Sequence, residues 1–261
     1  MLTFYSEAYL SLFKVTNFAL SMQLLLDFGN TRVKAAVPED GALRVVYSGP
    51  ADVSGLSGAM DGLEISGGMW CTVHDLHADI VSWMKGKGLV RLTDSTPIPL
   101  VNGYSTPETL GMDRLAAAVG AWSIQPGHDM LIIDAGTALT VDFVSAQGIY
   151  RGGNIAPGIG MRLMALHEHT GSLPMVAVQG DVPMFGTDTE TAIRSGVLNG
   201  IRHEVNDYIS ELLARYPSLL VFLTGGDADF FDIKAKSTIF AVPELVLHGL
   251  ARIVEYNEKD I

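Results

Sequence analysis

The chain has 261 residues, 48% of them hydrophobic, with 28 glycines and 11 prolines, so it can bury a core in one large domain or two compact ones and is not a disordered chain. Acidic residues outnumber basic ones by 29 to 17, and the net charge of −12 argues against nucleic acids and anionic membranes as partners. The single cysteine, Cys71, excludes an internal disulfide and is typical of a reducing, cytoplasmic compartment.

The first 21 residues are apolar but interrupted by Glu7, Lys14 and Asn17. They have neither the basic start of a signal peptide nor the roughly 20 predominantly apolar residues of a membrane span. We predict that the biological start is Met22 or that residues 1–21 form a poorly ordered N-terminal extension, with the fold beginning at Met22. An amphipathic interfacial helix and a targeting segment are the alternatives.

The first half of the chain opens with strand patterns. An apolar run from Met22 enters a D-x-G turn, and a second β-prone run leaves it. Further strands are predicted at residues 42–48 and 69–73, and helices at residues 75–85 and 111–122. The second half repeats this order, with a strand-turn-strand at residues 131–144 and a strand at 147–154. Helices are predicted after Pro157, at 189–215 and at 243–255, with a strand at 219–223.

The two halves are related by an internal repeat. Residues 24–37 read LLLDFGNTRVKAAV and residues 131–144 read LIIDAGTALTVDFV. Four residues recur at the same spacing in both segments. They are Leu24, Asp27, Gly29 and Val37 in the first and Leu131, Asp134, Gly136 and Val144 in the second. A repeat of this kind indicates duplicated domains. We predict an α/β protein with mixed sheets built twice, as residues 22–126 and 127–261, with a cleft between the copies.

Each acidic turn has the groups that bind phosphate. An aspartate that ends a buried strand and is followed by glycine places a carboxylate beside accessible backbone N–H groups. One such turn is as readily an Asx-turn in an ordinary hairpin, but two copies predict a nucleotide phosphate site with Mg²⁺. The residues concerned are Asp27, Gly29, Asn30, Thr31 and Lys34 in the first turn, and Asp134, Gly136 and Thr137 in the second.

Two other segments carry candidate chemistry. Thr224-Gly225-Gly226-Asp227 follows an apolar strand, and its paired glycines leave room for a base or ribose. Gly111-Met112-Asp113-Arg114 precedes a helical run. There Asp113 can accept a proton from an attacking hydroxyl, and Arg114 can hold an anionic group of the acceptor through two hydrogen bonds. Helix capping by Asp113 beside a solvated Arg114 is the alternative.

Taken in order, these motifs resemble the type III pantothenate kinase family, within the acetate and sugar kinase, Hsp70 and actin superfamily. The resemblance extends from residue 22 to about residue 250 and includes Gly152-Gly153 and Pro157-Gly158 besides the segments above. It implies duplicated RNase-H-like domains with ATP bound between them. It also implies transfer of the γ-phosphoryl group to the primary hydroxyl of pantothenate, the first step toward coenzyme A.

The resemblance also implies roles for individual residues. Asp27 would lie near Mg²⁺, and Asp134 would bind an activating monovalent cation, K⁺ or NH₄⁺. The implied ATP-binding residues are Asp27, Gly29, Asn30, Thr31, Lys34, Thr137, Gly225 and Gly226. Asp113 would be the proton acceptor, and Arg114 would meet the pantothenate carboxylate. The implied substrate-binding residues are Tyr104, Gly111, Met112, Asp113, Arg114 and Thr189. Because the family is homodimeric, with the acceptor site close to the subunit interface, a homodimer is implied.

Two features depart from the family pattern. Trp70-Cys71-Thr72-Val73 stands where the family has a Ser-Ser-Val-like strand end, near the acceptor pocket, and the 21-residue extension is foreign to the family. Two other functions agree with the same motifs: a nucleotide-dependent regulator that kept the fold without the chemistry, and a kinase for another small hydroxy acid. The first is disfavoured because this chain has no room for the large inserted subdomains of actin-like or Hsp70-like proteins.

Overall fold

The computed structural model describes residues 22–231, 233 and 237–258. The extension predicted for residues 1–21 lies outside the described residues. The chain divides into two compact units. Of the described residues, unit 1 contains 22–127, 144–152 and 244–258, and unit 2 contains 128–143 and those between 153 and 243.

The described residues form eleven strands and six α-helices. The strands are β1 Met22–Phe28, β2 Val33–Glu39, β3 Ala42–Gly49, β4 Ile65–Thr72, β5 Leu89–Arg91, β6 Val101–Asn102, β7 Met130–Ala135, β8 Ala138–Ser145, β9 Ile149–Pro157, β10 Leu220–Thr224 and β11 Thr238–Ala241. The helices are α1 Val53–Ala59, α2 Ala78–Gly86, α3 Met112–Ile124, α4 Ile159–Glu168, α5 Thr189–Arg215 and α6 Leu245–Glu258.

Unit 1 is built on a five-stranded mixed sheet in the order β3-β2-β1-β4-β5. Strand β1 takes the central position because its run Leu24-Leu25-Leu26 is apolar on both faces and fully buried. It pairs antiparallel with β2 and parallel with β4. Asp40 and Gly41 join β2 to β3 with φ values of 50° and 81°. A two-residue hairpin loop of the kind that matches the strand twist needs such positive φ values at both positions.

Unit 2 repeats this strand order. Its strands lie in the order β11-β10-β7-β8-β9, so β7 takes the place of β1, and β10 and β11 the places of β4 and β5. Strand β10 runs parallel to both β7 and β11. The outer end of the β8–β9 hairpin, residues 144–152, belongs to unit 1, where β9 pairs with β6. Each unit has its own apolar core. The sheet order therefore confirms the duplication predicted from the sequence repeat.

Helix α6 belongs to unit 1, whereas the sequence placed the whole of residues 127–261 in the second domain. The reason is close packing against α3. A Cβ at Gly249 would collide with the Ala116 carbonyl, and one at Gly120 would lie closer than contact distance to the Leu245 carbonyl. Small residues therefore let the two helix backbones approach, and the apolar face of α6 is buried against unit 1.

The fold class is confirmed as α/β with two mixed sheets. The long helix over residues 189–215 has its predicted bounds, and a capping box between Asp188 and Thr191 fixes its start. Sequence reasoning missed the short elements α1, β5, β6 and β11, whose few residues carry little periodicity. Within the described part of the chain, none of the helices combines the length and the apolar character needed to cross a bilayer.

Candidate functional site

The first acidic turn connects β1 to β2. The Gly29 amide donates to the Arg32 carbonyl at 3.1 Å, which closes residues 29–32 into a tight turn. Asn30 and Thr31 on this turn are exposed, whereas Asp27, near the end of β1, is half-buried. The predicted phosphate-binding side chains are therefore presented at one end of the unit 1 sheet.

Three side chains occupy one row across this sheet. Asp27 is the register partner of Lys34 on β2 and of Cys71 on β4. Side chains directly opposite each other on neighbouring strands point to the same face. The Cys71 thiol donates to Asp27 Oδ1 at a sulfur–oxygen distance of 3.6 Å. Burial, with the nearby charges of Asp27 and Asp113, raises the pKa of this thiol. Cys71 therefore stays protonated, as a donor to Asp27 must be.

Lys34 makes an ion pair that the sequence does not reveal. Its Nζ lies 2.9 Å from Glu244 Oε2, and each side chain is about one quarter exposed, at 25% and 26%. Glu244 directly precedes α6 and is 210 residues away in sequence. Such a separation leaves no local pattern from which the pair could have been predicted.

The start of α3 carries the candidate proton acceptor. Gly111 is the N-cap residue, and Asp113 lies in the first turn, where its Oδ1 accepts a hydrogen bond from the Arg114 amide at 2.8 Å. A Cβ at residue 111 would lie only 2.5 Å from Asp113 Oδ1. Glycine is therefore needed at 111 for the carboxylate to hold this position. The alternative of a solvated Arg114 is wrong, because Arg114 is buried at 6% exposure.

Arg114 lies beside Tyr104, as the grouping of acceptor-binding residues predicts. The guanidinium carbon is 5.9 Å from the centre of the Tyr104 ring, close enough for a cation–π contact. Gly152, with a φ of 101°, lies against the same ring, since a Cβ there would be 3.3 Å from Tyr104 Cδ2. Unit 1 thus brings together an aromatic ring, a buried cation and a glycine whose backbone packs against the ring.

A cleft of about 510 Å³ opens in unit 1 between the end of β4 and the start of α3. Thr72, the neighbour of Cys71, lines it from one side, and Gly111 and Met112 line it from the other. Its remaining wall is largely polar and includes His74, Asp75, Arg91, Asp94 and Glu108. The cleft therefore reaches the two predicted acceptor-binding residues that come just before Asp113.

The second acidic turn lies in unit 2, where it connects β7 to β8. The Gly136 amide donates to the Ala138 carbonyl at 3.0 Å and closes the turn between β7 and β8. Asp134 is half-buried and Thr137 is exposed. The predicted Pro157-Gly158 segment packs here, because the Gly158 amide donates to the Thr137 carbonyl at 3.0 Å. A Cβ at Gly158 would overlap the Gly136 carbonyl.

The Gly-Gly segment after β10 meets the same turn. Thr224 is the register partner of Asp134, and the Asp227 amide donates to the Ala135 carbonyl at 2.8 Å. Gly225 has a φ of 93°, and a Cβ there would overlap the Ala135 carbonyl and lie 2.5 Å from Asp134 Oδ1. A Cβ at Gly226 would meet nothing within 4 Å. Burial raises the pKa of the Asp227 carboxyl.

Thr189 occupies a different part of unit 2. It is the first residue of α5 and lies on a groove of about 980 Å³ between α4 and α5. The groove is mostly apolar and is lined by Met161, Ala165, Leu166, Ile193 and Val197 among others. The predicted residues are thus divided between the two units. Unit 1 contains those of the first turn and of α3. Unit 2 contains Asp134, Thr137 and the glycines after β10.

Neither acidic turn is a preformed metal cage. Across the described ranges, no group of three or more histidine, cysteine, aspartate or glutamate side chains is placed to hold a metal ion. A divalent ion at Asp27 or Asp134 would have to complete its coordination with other oxygens, from water or from a bound anion.

The sequence and the fold of this chain are both similar to those of known proteins. The sequence model of the type III pantothenate kinase family matches residues 23–211. A type III pantothenate kinase of Phocaeicola vulgatus is 46% identical over 241 residues, which is 91% of this chain and 100% of that protein. One of Porphyromonas gingivalis is 38% identical over 91% of this chain and 100% of that protein. The fold is similar to a crystal structure from Campylobacter jejuni, of a protein assigned to the Baf family of transcriptional activators, with a TM-score of 0.59, 22% identity and coverage of 90% and 99%.

Proposed function

Since this chain belongs to the type III pantothenate kinase family, we propose that it transfers the γ-phosphoryl group of ATP to the primary hydroxyl of pantothenate. This is the first step of coenzyme A biosynthesis, and it makes ATP and pantothenate the substrates. The family match carries the assignment, because residues 23–211 include both acidic turns and the starts of α3 and α5.

We propose that the residues of the two acidic turns bind ATP. The polar groups of Asn30, Thr31 and Thr137 and the ammonium of Lys34 are suited to phosphate oxygens. Gly29 contributes by closing the turn that presents Asn30 and Thr31. Gly225 and Gly226 would take the nucleoside, and the open space around the Cα of Gly226 supports this role. That the two turns serve one nucleotide stays a prediction.

Kinases use ATP together with a divalent metal, and we propose Mg²⁺ near Asp27 and K⁺ or NH₄⁺ at Asp134. The donors fit these ions, since both residues are half-buried carboxylates and offer oxygen atoms only. When bound, the divalent ion supplies positive charge that offsets the negative charge of the phosphates. The hydrogen bond from the Cys71 thiol would keep the Asp27 carboxylate oriented for the divalent ion.

On the acceptor side, we propose Asp113 as the proton acceptor. A primary alcohol is a far weaker acid than a carboxylic acid, so Asp113 does not deprotonate it beforehand but takes the proton as the new O–P bond forms. The transition state of phosphoryl transfer is loose and in-line, so positioning of the hydroxyl dominates. Arg114 would hold the pantothenate carboxylate, and its burial against Tyr104 keeps the guanidinium in place.

We propose that Gly111 and Met112, which line the 510 Å³ cleft of unit 1, bind the acceptor, and that Tyr104 and Thr189 are further acceptor-binding residues. We further propose a cytoplasmic enzyme, in keeping with its single cysteine.

The assignment is tested by an acceptor panel. Purified protein is incubated with ATP, Mg²⁺, either K⁺ or Na⁺, and pantothenate or another hydroxy acid. We expect ADP release that depends on pantothenate, with 4′-phosphopantothenate as the product and higher rates in K⁺ than in Na⁺. Faster turnover of another hydroxy acid would favour the alternative kinase. ATP binding without acceptor-dependent ADP release would favour the regulator.

We propose that the enzyme is a homodimer formed through unit 2. Among the described residues of this unit, six large apolar side chains are exposed: Ile155, Met161, Met164, Met175, Met184 and Phe185. Phe185 is 80% and Met184 68% exposed, and Met161 also lines the groove that contains Thr189. Large exposed apolar side chains are typical of a protein interface when they form one patch. The location of Thr189, a predicted acceptor-binding residue, on this groove agrees with an acceptor site close to the interface.

The double substitution M184S/F185S is expected to dissociate the dimer. In a two-fold interface each substitution acts twice, so the dimer should weaken by about a hundredfold or more. Sedimentation equilibrium at a fixed concentration measures the change. Val90→Ser is the control, because Val90 is 59% exposed but lies in unit 1. An unchanged dimer in M184S/F185S would place the interface elsewhere.

A further inference from the structure

The pair formed by Lys34 and Glu244 links β2, just after the first acidic turn, to the segment just before α6. The Nζ–Oε2 distance of 2.9 Å is short enough for a charge-assisted hydrogen bond. Lys34 is also the register partner of Asp27 on the neighbouring strand. Glu244 therefore contacts a lysine of β2 that lies opposite Asp27 and is proposed, with the first turn, to bind ATP.

Lysine needs such a partner more than arginine does. Its ammonium ends a flexible four-carbon chain, and placing it for one ligand costs rotamer entropy. A carboxylate that fixes the ammonium before ATP binds removes part of that cost from the binding step. An ammonium carries three N–H donors, so the bond to Glu244 does not prevent Lys34 from donating to a phosphate oxygen as well.

We propose that Glu244 is a positioning residue, which holds Lys34 for ATP and acts on the nucleotide only through Lys34. The inference rests on the proposed role of Lys34 in phosphate binding. Two other roles for Glu244 predict different results. A carboxylate that competes with phosphate for Lys34 would weaken ATP binding, so its removal would tighten it. A carboxylate that only stabilises the start of α6 would leave ATP binding unchanged.

The test is a double-mutant cycle of K34M, E244Q and K34M/E244Q, with ATP affinity and steady-state kinetics as readouts. K34M should weaken ATP binding about tenfold or more, because a charged contact to phosphate is lost. E244Q should raise KM for ATP about two- to fivefold with kcat unchanged. In the K34M background, E244Q should cause no further loss. E244D keeps a carboxylate and should stay close to the wild type in ATP affinity.

Glu39→Gln is the matched control. Glu39 forms an ion pair with Arg44 at 2.8 Å on the same sheet, outside the proposed site, so its loss should leave ATP affinity unchanged. The inference is overturned if E244Q tightens ATP binding or leaves it unchanged, or if it weakens binding equally with and without Lys34. K34M without effect would also overturn it, together with the phosphate role of Lys34. The kinase assignment is judged separately, by pantothenate-dependent ADP release in the wild type.

Discussion

Replacing Asp113 by asparagine is expected to lower kcat by about 10²- to 10⁴-fold, while KM for ATP and pantothenate changes little. Asparagine has nearly the same shape and can still accept the 2.8 Å hydrogen bond from the Arg114 amide. It cannot take up the proton that leaves the pantothenate hydroxyl as the O–P bond forms. The loss should therefore fall on the chemical step, measured as ADP release at saturating substrates.

Asp79→Asn is a control with the same local geometry. Asp79 lies in the first turn of α2, and its Oδ1 accepts from the Ile80 amide at 2.8 Å, as Asp113 does from Arg114. Both substitutions remove a negative charge near a helix N-terminus, which costs about 0.3–1 kcal/mol of stability at most exposed sites. Only D113N should lose activity. A D113N enzyme with wild-type kcat would show that another group accepts the proton.

Replacing Gly225 by alanine is expected to destabilise unit 2 by about 2–4 kcal/mol, which lowers Tm by several degrees. The new Cβ would overlap the Ala135 carbonyl at a φ of 93° and press on the Asp134 carboxylate. Because Asp134 is the proposed monovalent cation ligand, the part of the variant that folds should also lose activation by K⁺. Thermal unfolding and the ratio of rates in K⁺ and Na⁺ measure the two effects.

Gly226→Ala is the stability control for this substitution. Its Cβ would meet nothing within 4 Å, so its Tm should stay near that of the wild type. A G225A protein as stable as G226A, with normal activation by K⁺, would contradict the close approach of Gly225 to the Asp134 turn.

Much of the fold follows from local patterns in the sequence. The repeat around Asp27 and Asp134 predicts two related sheets, and the strand orders of the two units agree with it. Helix α5 could be placed to its end residues because it is long and starts with a capping box. Segments such as β5 and β6, with three and two residues, could not. Their conformation is set by the strands they pair with, which local periodicity does not report.

The candidate site divides in the same way. Motifs that are contiguous in the chain, such as residues 111–114 or 224–227, could be found from sequence, because their chemistry depends on spacing along the backbone. The assignment of α6 to unit 1 could not be found, since it depends on a fit between Gly249 and Ala116. Contacts between separate segments were missed for the same reason, as with Cys71 on Asp27 and Lys34 with Glu244.

The sequence by itself determined the family, the duplication and the positions of the two acidic turns. These features lie in short stretches of the chain, and their residue types and spacing are enough to recognise them. Only the tertiary structure decided how those residues are held. It buries Arg114, places the Cys71 thiol on Asp27 and pairs Lys34 with Glu244 across 210 residues. Such contacts depend on the three-dimensional packing of strands and helices, and side chains that meet in this way need share no pattern along the chain.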